Sequence, residues 1–341
     1  MSYALRLAPD LAQTVRAVEW TPFGNAGAPS SYTRASALLS LGARPEAVNT
    51  SPAPQSAEEL FAGLTGFIGG TRDRIGSGEP FPWADLDELV RAVLDELGGS
   101  DELFWVAHRP HVPAGIDYVA FHQARVTVMG LKVATTLGYE ESRLYGLGRA
   151  TALFDVGLWR LPAEVARQAD LMSPETLERY RAHPGLSAEI VARWAPPDDT
   201  TVAAMRHHHE REQGQGYPAG LRGDAIPFDA KVIALLDTYA GLTAPPPPRA
   251  GRPPHDALRE IIRSRQRAFP SAIIKALIAE TSLFPPGTLV RVSSGEAGRV
   301  IGLNRNHPLR PRVELLARGH TAARVVDLTE TPFLYITGPI S

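Results

Sequence analysis

The residues of this 341-residue chain best suited to chemistry sit in one stretch, His207-His208-His209-Glu210-Arg211-Glu212-Gln213-Gly214-Gln215-Gly216-Tyr217-Pro218. Val202 and Met205 lead into it at helical spacing, and Gly214, Gly216 and Pro218 end the run in a tight loop. Neighbouring helical residues point about 100° apart, so His208 and His209 can fill two positions of one metal cluster, each ring oriented through its second nitrogen. The plain alternative is a solvated histidine tract at a helix end.

The stretch resembles the signature of the HD-GYP family on His208, His209, Glu210, Gly214, Gly216, Tyr217 and Pro218. The resemblance runs over about 117–286. It implies an all-helical HD-superfamily domain, two or three bound divalent ions and hydrolysis of cyclic di-GMP. It further implies that His122, Asp155, His183, His208, His209 and Asp237 are metal ligands, with Asp155 bridging two ions. Asp155, His208 and His209 are the catalytic candidates, and Arg211, Gly216, Tyr217 and Pro218 the substrate-binding ones. Two departures stand out: Phe154 occupies the place of the histidine in the His-Asp pair, and Leu158 that of the lysine that addresses phosphate. Tyr118 stands where some members carry a further ligand glutamate, which argues against a third ion.

The elements that must position these residues are mostly helical. Leu86, Leu89, Val90, Val93, Leu94 and Leu97 recur at helical spacing before Gly98-Gly99. A second helix is expected from about 117 to 137, with His122, Val126, Met129 and Val133 on one face. A third carries Leu144, Leu147, Thr151, Phe154 and Asp155. Ser173-Pro174 has the form of a helix start, and it leads to His183-Pro184. Phe228 to Thr243 reads as an apolar helix whose Asp237 is costly to bury without a cation or strong donor. His255-Asp256 spells a His-Asp pair outside this framework, and Asp256 is expected to cap the next helix. Beyond Pro286 the texture turns to alternating β segments at 289–292, 299–303, 312–316 and 325–328.

The expected fold is therefore mainly α, with a small antiparallel β domain at the end. The domains are an N-terminal region of unknown fold (1–80), a helical domain (81–286) and a β domain (287–341). A net charge of −2 leaves no global basic field for DNA, so an anionic ligand must be met by local arginines such as Arg206, Arg211 and Arg222, or by Lys231. Zero cysteines exclude disulfides and thiol catalysis, and no apolar run of about 18 residues suggests a membrane span. The expectation is a cytoplasmic protein. Imidazole and carboxylate donors suit one or two transition ions, iron or manganese first, although the lost histidine leaves a metal-free chain open. Two readings follow. One is an HD-GYP-type phosphohydrolase acting on cyclic di-GMP or a related cyclic dinucleotide, weakened or silenced by Phe154. The other is a non-catalytic module that binds a cyclic dinucleotide, or signalling proteins through the Gly216-Tyr217-Pro218 loop.

Overall fold

In the computed structural model the described residues are 56–341, apart from 110–111, 168–172, 265–266, 282–283, 285, 305–306, 308, 317–322 and 341. The expectation for residues 1–55 lies outside them. The helices are α1 (Ala57–Arg74), α2 (Trp83–Gly99), α3 (Glu102–Ala107), α4 (Tyr118–Thr136), α5 (Glu141–Leu153), α6 (Ala163–Arg167), α7 (Pro174–Arg181), α8 (His183–Arg193), α9 (Asp199–His207), α10 (Phe228–Thr243), α11 (Pro254–Ser264) and α12 (Ser271–Thr281).

α4 is the axis of the helical part. Every residue from Val119 to Ala134 is buried, and α1, α3, α5, α10 and α12 pack around it. A helix enclosed on all sides has no polar face to spare, which explains why the sequence pattern marks only one side of it. Asp117 starts α4 by accepting a hydrogen bond from the Ala120 amide at 3.1 Å. Residues 57–74, which the sequence leaves in an undefined region, form a capped helix whose Leu60, Phe61, Leu64 and Ile68 join the same core. Their Gly-rich stretch (Gly66, Gly69, Gly70) hid the amphipathic pattern. Asp256 lies inside the first turn of α11, bonded to Arg259 at 3.1 Å, rather than at the cap.

The C-terminal sheet has order β4-β3-β2-β1-β5, with β1 (Leu289–Val292), β2 (Ala297–Gly302), β3 (Arg312–Leu315), β4 (Arg324–Asp327) and β5 (Ile336–Pro339). All pairs are antiparallel, and Val290, Val292, Val300, Val313, Leu315 and Leu328 form its own small core. The four expected strands are present. The fifth, Ile336-Thr337-Gly338-Pro339, carries no alternation and is an edge strand defined by its pairing with β1. No helix among the described residues is long and apolar enough to cross a membrane.

Arg125 on α4 is fully buried and bonds the carbonyls of Ala107 and Ala240 and the Thr243 hydroxyl at 2.6, 2.9 and 3.0 Å. The same region holds His108. The residue as a whole is part-exposed, but its ring atom Nε2 is shielded and has no hydrogen-bond partner. Burial pulls its pKa down to about 3, against the raising effect of the Phe104 carbonyl and with a smaller push from Arg125. The folded ring therefore refuses the proton that the unfolded chain takes up below about pH 6.5. Its contribution to stability is full above that pH and is lost as the pH falls. His108→Leu should accordingly lose about 2 kcal/mol less than the parent chain between about pH 7 and about pH 5, read by denaturant unfolding at each pH.

Candidate metal centre

Five segments of the chain bring the polar side chains to one place. His122 projects from α4, Asp155 from the turn after α5, His183 from the start of α8, and Asp237 from α10. His208 and His209 lie just past the end of α9 rather than inside a continuous helix, with His208 still in helical conformation (φ −66°, ψ −15°). The three imidazoles of His183, His208 and His209 form one ligand-like group, and His122, Asp155 and Asp237 form a second.

The orientation of the rings is fixed from behind. His183 Nδ1 lies 2.7 Å from the Tyr180 carbonyl and His208 Nδ1 2.6 Å from the Met205 carbonyl. A carbonyl only accepts, so both Nδ1 atoms carry the proton and both Nε2 atoms present a lone pair. Those Nε2 atoms are 3.4 Å apart, and His209 Nε2 is 3.1 Å from that of His183. Asp155 Oδ1 stands 3.2 Å from His183 Nε2 and 3.6 Å from His208 Nε2, buried and without a hydrogen bond. Lone pairs and an anionic oxygen converging in a buried space repel one another unless a cation lies between them. Two ligands each about 2.1 Å from one ion, at angles between octahedral and tetrahedral, stand roughly 3.0–3.4 Å apart, which matches the observed spacings. The donor set therefore fits a divalent transition ion.

Electrostatics point the same way. Burial raises the Asp155 carboxyl, and positive charge at His183 and His208 outweighs it and holds the group well below the usual carboxylate range, the direction in which a cation between these side chains would also act. Burial, then the neighbouring His208 and His183, keep His209 well below its ordinary value, hence neutral and able to ligate. His122 Nε2 meets Asp237 Oδ1 at 2.9 Å, and its Nδ1 is 3.5 Å from the Tyr118 hydroxyl.

The loop after the histidines is held by Glu210. Its buried carboxylate accepts from the amides of Ala219 at 2.7 Å and Leu221 at 2.9 Å, while the Tyr217 amide bonds the His209 carbonyl at 3.2 Å. Gly216 lies so close to Glu210 Cα and the His209 carbonyl that no Cβ could fit. The Tyr217 ring stacks on His209 at 4.6 Å and 21°, and Pro218, after a cis bond, is exposed. The Arg211 guanidinium bonds the carbonyls of His208 and Glu210 at 3.0 and 2.8 Å and lies over Phe269. Lys231 pairs with Glu212 at 2.8 Å.

Phe154 is completely buried, its ring 5.0 Å edge-on from His208 and 6.0 Å from His122. It thus fills space between the two ligand groups. Two supporting residues carry no signal in the sequence. The Gln123 side chain accepts from the Asp155 amide at 2.9 Å, and Gly157 permits the turn after Asp155 to press against the His183 carbonyl and Ser187. Neither residue type is a ligand, and their roles arise only from packing.

The comparisons agree with this geometry. Residues 117–273 match the HD domain family, and residues 289–341 match a KOW domain associated with HD domain. The helical part thus resembles an HD domain. A cyclic di-GMP phosphodiesterase of Pseudomonas aeruginosa is 26% identical over 216 residues, 62% of this chain and 52% of that protein. One from Thermotoga maritima is 25% identical over 158 residues, covering 46% and 43%. A 3′3′-cGAMP-specific phosphodiesterase of Vibrio cholerae is 28% identical over 174 residues, covering 51% and 38%. The chain spans about half the length of the first two relatives. A solved HDG"Y"P protein from Bdellovibrio bacteriovorus shares the fold at a TM-score of 0.56 and 18% identity, over 68% of this chain and 73% of that one.

Replacing His208 and His209 together by alanine should abolish the metal content of anaerobically purified protein, where the parent holds about one or two ions. Elemental analysis reads this directly, and equal metal in the double variant would refute the ligand assignment.

Proposed function

We propose that this HD domain is a metal-dependent phosphodiesterase-type centre for cyclic di-GMP or a related cyclic dinucleotide, with activity weakened by Phe154. The observation that carries the reading is the buried Asp155 oxygen, unbonded and facing two imidazole lone pairs beside a second His-Asp-Asp group. Iron or manganese suits these donors. Divalent ions held there would lower the pKa of a water and stabilise charge on the phosphoryl oxygens.

The chain's own part is to bind and orient. His183, His208 and His209 with Asp155 would hold one ion, and His122, Asp155 and Asp237 the other. Tyr217 restrains the His209 ring from its outer face and, with exposed Pro218, forms the rim that a ligand would meet. Phe154 supplies no donor, and loss of a direct ligand should weaken an ion more than loss of a supporting group, which typically costs 10–100-fold. Leu158 adds no cation for the substrate phosphate. A cytoplasmic setting belongs to the same reading.

The complete burial of Phe154 between the ligand groups also favours a second reading, a module that binds a cyclic dinucleotide without cleaving it. The two separate on one experiment. Phe154→His places a nitrogen where the ring already points between the groups, so hydrolysis of cyclic di-GMP with manganese or iron supplied should rise by about tenfold or more. Binding of metal and dinucleotide with no hydrolysis in either protein would favour the non-catalytic module.

A further inference from the structure

The helix junction before His183 sets a cation beside the candidate ligands that the sequence pattern does not mark. Arg181 is the last residue of α7, directly after Tyr180, whose carbonyl orients the His183 ring, and shortly before His183 itself, which starts α8. Its guanidinium stands over the Tyr217 ring, 5.5 Å from the centroid, and the same ring stacks on His209 at 4.6 Å. Arg181 is exposed and has no hydrogen bond or ion pair among the described residues. Other cations near the loop differ: Lys231 pairs with Glu212 at 2.8 Å, and Arg211 bonds the carbonyls of His208 and Glu210.

We infer that Arg181 is a specificity-determining residue: it takes the second phosphate of a two-phosphate ligand whose first phosphate lies at Asp155 and the histidines. The place of that first phosphate rests on the cyclic-dinucleotide reading above. A guanidinium within about 6 Å of a tyrosine face is attracted by the ring quadrupole, which holds this long side chain near one orientation while its N–H fork stays open to solvent. The fork matches two oxygens of a phosphate. No carboxylate has to be displaced, so only water leaves when an anion arrives. The exposed guanidinium also stands apart from the buried His183, His208 and Asp155 that would hold an ion. The phosphate it meets is therefore not the one at the ion. Tyr217 links the two places, because its ring lies against both Arg181 and His209, and a ligand crossing that ring spans both charges. Leu158, buried and apolar, offers no competing cation on the Asp155 side. A ligand with one phosphate is held at the ion alone and gains nothing from Arg181, whereas one with two gains a charge-assisted pair.

The test compares cyclic di-GMP, with two phosphates, against 3′,5′-cyclic GMP, with one phosphate and the same base. Both are titrated into the manganese-loaded full chain by calorimetry, and hydrolysis is followed separately. Arg181→Ala should weaken cyclic di-GMP by about tenfold or more, the scale of one charge-assisted pair, and change cyclic GMP by less than about twofold. Arg181→Lys keeps the charge without the fork, and should bring cyclic di-GMP back to within about threefold of the parent. Metal content should be equal in all three proteins, which separates a lost phosphate contact from a damaged ion site. Cyclic di-GMP affinity unchanged in Arg181→Ala, an equal loss for both ligands, loss of metal in that variant, or no binding of cyclic di-GMP by the parent would overturn the role. Hydrolysis with an affinity indifferent to Arg181 would remove this role and leave the phosphodiesterase reading. Binding that depends on Arg181 without any hydrolysis would leave the role standing and remove that reading.

Discussion

The structure depends on one electrostatic conflict: three imidazole nitrogens and one carboxylate oxygen, all facing inward, within 3.1–3.6 Å of a neighbour. The backbone enforces it. Carbonyls of Tyr180 and Met205 take the Nδ1 protons and leave His183 and His208 no freedom to turn away. Gly157 lets the Asp155 turn approach the first turn of α8, and Glu210 ties the loop that presses Tyr217 onto His209. A fold that spends this much local structure on aligning like lone pairs is organised for a cation.

Much of this was legible in the sequence because adjacent histidines followed by Gly214, Gly216, Tyr217 and Pro218 form an uncommon local pattern. His122 and Asp237 were legible as polar residues on apolar helices, and the helix from Phe228 to Thr243 has the expected bounds. What the sequence did not carry is what packing decides. Gln123 and Gly157 support Asp155 through contacts across 30 or so residues of chain. Arg211 reads as a candidate phosphate ligand, and folding adds bonds from its guanidinium to the carbonyls of His208 and Glu210. Helix α1 was obscured by its glycines, and β5 exists only because β1 offers an edge.

Phe154 and Leu158 both place apolar side chains next to Asp155, and both are buried. Phe154 packs edge-on against His208, so the site remains filled rather than collapsed. The six candidate ligands meanwhile fall into two adjoining groups.

The central claim is that the converging nitrogens and Asp155 enclose a cation. Anomalous diffraction at the iron and manganese edges, from crystals of protein purified with those metals, tests it most directly. The account predicts a peak bounded by His183, His208, His209 and Asp155, with any second peak bounded by Asp155, His122 and Asp237. Crystals in which the three Nε2 atoms keep their 3.1–3.4 Å contacts with no peak between them would contradict it.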